Sequence, residues 1–171
     1  MRTIPKPVAA GAILSLLAIL FGFSLGGAFG AVEDALKARL ADSGNAVLET
    51  VYKGDAAAKD AVVKKSWDYL IRAHLHAGAI GTASLASIAI MILLCPLTLP
   101  AQLSALAFGA GALVYSGFWL LAGFMAPGLG GTGAAKKALE LVAVPGAGLC
   151  LLGAFGTLFC VAKAAFFSPK S

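Results

Sequence analysis

The chain has 171 residues, of which 60% are hydrophobic and 12% charged, with a net charge of +5. A soluble domain carries about a quarter of its residues as charges, so this composition excludes an ordinary water-soluble protein and points to a bilayer. The positive excess does not form a nucleic-acid surface: between Glu33 and Arg72 seven basic residues balance seven acidic ones, and the surplus sits at Arg2, Lys6, Lys136, Lys137, Lys163 and Lys170, beside apolar runs.

The first apolar run, residues 8–29, follows Arg2 and Lys6 and ends in Ala28-Phe29-Gly30, which gives it some likeness to a secretory signal. It is longer than the roughly 7–15 residues of a signal core and reads as a membrane anchor helix. Three more runs, residues 73–94, 101–126 and 139–161, are long enough at about 1.5 Å per residue to cross a hydrocarbon core of roughly 30 Å. The expected fold is therefore all-α, one integral membrane domain: a four-helix transmembrane up-down bundle with a helical extramembrane hairpin between spans 1 and 2. The connection at residues 31–72 repeats apolar positions at helical spacing through Val32, Leu36 and Leu40, breaks at Asp42-Ser43-Gly44-Asn45, and resumes over 46–52 and again over 56–67, where it runs on into the second span. The hairpin is expected to lie over the mouth of the bundle, either as a solvated connector or as a lid or partner surface.

Pro96 and Pro100 mark a tight turn between the second and third spans, and Pro145 is expected to bend the fourth or free a carbonyl. Glycines recur in every later span, as close helix contact in lipid requires. Cys95, Cys150 and Cys160 show no Cys-x-x-Cys spacing and read as small packing residues. The flanking charges do not fix the orientation, because Arg2 and Lys6 oppose Lys64, Lys65, Lys136 and Lys137.

Both histidines, His74 and His76, stand at the start of the second span. Two residues apart on a helix, they point about 200° from each other and cannot share one metal ion. An ionisable residue here is a candidate site, and antiparallel spans would put Trp119, Phe124, Met125 and Glu140 at the same depth. Along the His74 face come Gly78, Gly81 and Thr82, a small-residue slot suited to a haem ring with an imidazole ligand. The His76 face, with Ala79, Ile80 and Ala83, resembles ordinary packing. The alternative for both histidines is an imidazole seated among lipid headgroups.

The run from Trp67 to Gly81 with Arg72-Ala73-His74, the Ser-Gly-Phe-Trp-Leu-Leu run at 116–121 and the Val-Pro-Gly-Ala-Gly-Leu-Cys-Leu-Leu-Gly run at 144–153 together resemble the styrene oxide isomerase and hydroxylaminobenzene mutase family, over roughly residues 67–161. The resemblance implies a small four-helix protein of a bacterial inner membrane, a trimer or other homo-oligomer, with haem b held by His74 as metal ligand and Gly78, Gly81 and Trp119 around it. It implies an isomerase in which haem iron acts as a Lewis acid on a small lipophilic epoxide. Where the isomerase pattern has Asn, Tyr and Asp, this chain has Ile80, Trp119 and a residue near Gly111, so fold and haem are the expected inheritance and the chemistry is left open. The alternatives are a non-catalytic haem protein for electron transfer or sensing, for which Met125 is the one further ligand candidate, and a haem-free accessory subunit of a membrane complex.

Overall fold

The computed structural model describes residues 3–167 and is all-helical over them. The helices are α1 (Lys6–Asn45), α2 (Ala56–Leu94), α3 (Leu99–Met125), α4 (Thr132–Ala138) and α5 (Glu140–Phe167). Four of them, α1, α2, α3 and α5, are long and apolar enough to cross a membrane, and each contains one of the expected apolar runs to within one residue at an end.

The hairpin between the first two runs is helical, and it is built from the same helices as the runs themselves. Helix α1 passes through the expected boundary near residue 30 with a kink at Val32, whose φ of −137° and ψ of 30° leave helical space. Residues 46–52 do not resume a helix as their spacing suggests; they form turns. Lys53 and Gly54 follow in the left-handed region, at φ 55° and 80°, and reverse the chain. Asp55 then caps α2, its Oδ1 accepting the Ala58 amide at 2.9 Å. As expected, α2 continues from there into the apolar run without interruption. The Gly-rich loop after α3 contains an unexpected short helix, α4. Pro145 stays inside a continuous α5, where it leaves one carbonyl without an amide donor.

The hairpin tip folds back onto the loop after α3, where the Tyr52 hydroxyl donates to the Pro127 carbonyl at 2.7 Å. Below it, backbone contacts through glycine hold the helices together. Gly11 of α1 faces the Ala105 backbone and Gly109 of α3, while Gly111 and Gly153 bring α3 and α5 together at Cys150 and Phe108. Ser15 and Ser84 share a buried hydrogen bond of 2.8 Å between α1 and α2. The surface is apolar along most of its length: Phe23 is 70% exposed, Leu93 78% and Leu141 91%.

Candidate functional site

The two histidines leave α2 in opposite directions. His74 is half-buried against α1, where its Nδ1 lies 2.7 Å from the carbonyl oxygen of Gly22. A carbonyl only accepts, so Nδ1 carries the proton and the lone pair of the neutral ring is on Nε2. Gly26 is the reason the ring fits: a Cβ there would stand 2.8 Å from His74 Cε1. Phe29 meets the imidazole edge-on at 6.1 Å.

Of the small residues beyond His74, Gly78 has open space where a Cβ would project, whereas Gly81 is buried against Ser15 and Ile19 of α1. The slot expected along this face is thus open at its upper step and filled by α1 at its lower one.

His76 bonds through Nδ1 to the Arg72 carbonyl of its own helix at 2.9 Å and turns its ring toward α3. There it meets Tyr115 at 5.5 Å and Trp119 at 5.9 Å. Trp119 also packs against Tyr69 at 4.9 Å and Phe118 at 5.0 Å, and the Arg72 guanidinium covers its ring at 4.5 Å. The Trp119 indole N–H is buried without an acceptor. Met125 packs against this second cluster.

His74 and Gly78 therefore share the α1 side of α2, with Gly81 sealed below them, and Trp119 belongs to the α3 side with His76. Sequence reasoning missed the aromatic cluster, although its signal was present: Tyr69, Arg72, Ala73 and His76 recur at i, i+3, i+4 and i+7. What it could not supply was the partner, since nothing in one sequence says which face of α2 meets α3. Among the described residues no three His, Cys, Asp or Glu side chains converge. No protein-family model, no curated protein and no solved structure matches this chain, so the residues and their geometry carry the functional reading.

Proposed function

We propose that the protein is an integral membrane protein whose four long helices span the bilayer in up-down order, and that it binds haem b through Nε2 of His74. The membrane part is supported by the exposed apolar faces, which would be costly in water and are at home in hydrocarbon. The haem part is supported by one observation above all, the His74 Nδ1 to Gly22 bond. A ligating imidazole characteristically donates its other N–H to a carbonyl, which fixes its tautomer and orientation. The open space at Gly78 is compatible with a flat group beside the ring.

Haem iron, when bound, supplies Lewis acidity toward an epoxide-type oxygen, the chemistry that the family resemblance implies. The chain's own contribution is to hold the His74 ring between Gly22, Gly26 and Phe29, in surroundings that a lipophilic substrate enters from the bilayer. A homo-oligomer in a bacterial inner membrane, a trimer by the resemblance, completes this reading. Helix α5, with Leu151, Leu152, Phe155 and Phe159 exposed, offers apolar surface to lipid or to another copy.

A second reading has its own observation. The His74 to Gly22 bond and the close fit of Gly26 also tie α1 to α2, which is all that a haem-free accessory subunit requires. A visible spectrum of the detergent-purified protein separates the two. Haem binding through His74 gives a Soret band near one haem per chain that His74→Ala abolishes and His76→Ala retains. A protein colourless even when haem is supplied, or a band that survives His74→Ala, overturns the assignment. Isomerase activity, as against electron transfer or sensing, requires that epoxides perturb the ferric spectrum and yield aldehydes.

A further inference from the structure

The end of the bundle away from the histidines gathers sulfur. The chain has three cysteines and three methionines, and the fold brings Met91, Cys95 and Cys160 into one cluster there. Met91 and Cys95 are one helical turn apart at the end of α2, where the Cys95 amide donates to the Met91 carbonyl at 2.9 Å. Both are buried, and Cys160 of α5 packs against the cluster they form with Ile88, Ala101 and Ala105. Cys95 and Cys160, far apart in sequence, line a single cavity of about 110 Å³ between the α2–α3 turn and α5, with Pro96, Thr98, Lys163 and Ala164 around them. Neither is in a disulfide.

The ligands on offer at this end are soft, and no carboxylate or imidazole stands beside them. Every Asp and Glu lies within residues 33–68 or at Glu140, which opens α5 about 30 Å of helix before Cys160. His76, the nearer histidine, is about 29 Å back along α2 from Cys95. Calcium and magnesium take oxygen ligands, and a structural zinc site takes four ligands from Cys, His, Asp or Glu, where this end supplies two thiols. Thiolate and thioether sulfur together favour monovalent copper. Binding takes the proton from each thiol, so a Cu(I) ion between two thiolates leaves one net negative charge. The Lys163 ammonium, on the same cavity and in neither of the ion pairs among the described residues, offsets it.

We infer that this sulfur cluster binds one Cu(I) ion, with the thiolates of Cys95 and Cys160 as ligands and the Met91 thioether as a third. Two thiol protons leave as the ion enters, and no electron is transferred. The inference is independent of haem and of His74, which lies toward the other end of α2.

The test uses the full chain, purified in detergent and kept reduced, titrated with Cu(I) against the chelator bicinchoninate. The expected result is one Cu(I) per chain withheld from the chelator. Cys95→Ser and Cys160→Ser each lose the ion, Met91→Leu loses it at a lower chelator concentration, and Cys150→Ser matches the unsubstituted protein. X-ray absorption at the copper edge requires no variant to fold; the unsubstituted protein should show a shell of sulfur alone. A copper shell containing nitrogen, an ion retained by Cys95→Ser or Cys160→Ser, loss in Cys150→Ser, or no copper withheld at all overturns the assignment. A Met91→Leu protein that holds copper as tightly as the unsubstituted one overturns the three-sulfur site.

Discussion

Tyr52 shows how much one side chain outside the apolar runs can hold. Its hydroxyl closes the hairpin tip onto Pro127, and burial raises its pKa above the ordinary value of 10.0. Because the folded pKa exceeds the unfolded one, the tyrosine's contribution is complete below pH 10 and is lost as pH rises through the folded value. Tyr52→Phe should lower stability by about 1 kcal/mol in thermal unfolding of the detergent-solubilised protein and flatten its pH dependence above 10. The Ser15 to Ser84 bond can be weighed in the same assay. A double-mutant cycle with Ser15→Ala and Ser84→Ala should give a coupling of about 0.6 kcal/mol, the mean for polar pairs between membrane helices. His74 was legible as a candidate from its place at the edge of an apolar run; its tautomer was not, since that depends on the Gly22 carbonyl 52 positions away in sequence.

At the scale of elements, glycines decide which helices touch, and they divide into two kinds. A Cβ on Gly109 would run into the backbone of Gly11, and one on Gly153 into the backbone of Phe108, neither of which can rotate away. Gly117 and Gly148 have open space. Gly109→Ala and Gly153→Ala should each cost about 1–3 kcal/mol, as overpacked cores do, whereas Gly117→Ala and Gly148→Ala should change unfolding by less than about 0.5 kcal/mol. Composition announced this abundance of small residues but not the division, which depends on the register between helices. The lengths of the apolar runs and the passage of residues 56–67 into the second run were legible because helical periodicity continues across them. The turns at 46–54 were not: the apolar spacing there is helical, and the left-handed Lys53 and Gly54 with the capping Asp55 override it.

For the whole molecule, the contact of the hairpin tip with the loop after α3 places Lys53 near the same end as Lys136 and Lys137. Lys163 lies toward the other end, with Cys95, Pro96 and Thr98 of the turn between α2 and α3. Trypsin added to sealed vesicles of one orientation should therefore cut at Lys53 and after Lys136 or Lys137 together, with Lys163 protected, as mass spectrometry of the fragments would show. Cleavage at Lys53 and Lys163 from one side would overturn the up-down order.

The seam between α3 and α5 has a consequence for biogenesis. The bonds that join α1 to α2, and the glycine contacts that join α1 to α3, involve no residue beyond Met125. Helix α5 adds itself to an outer face of α3 through Gly111, Gly146 and Gly153. On the proposed membrane-spanning reading, these contacts among the first three long helices are all encoded before the last helix is made. If packing follows synthesis, the last helix should dock onto a surface already in place, completing the cluster around Trp119 with Val142 and Ala143.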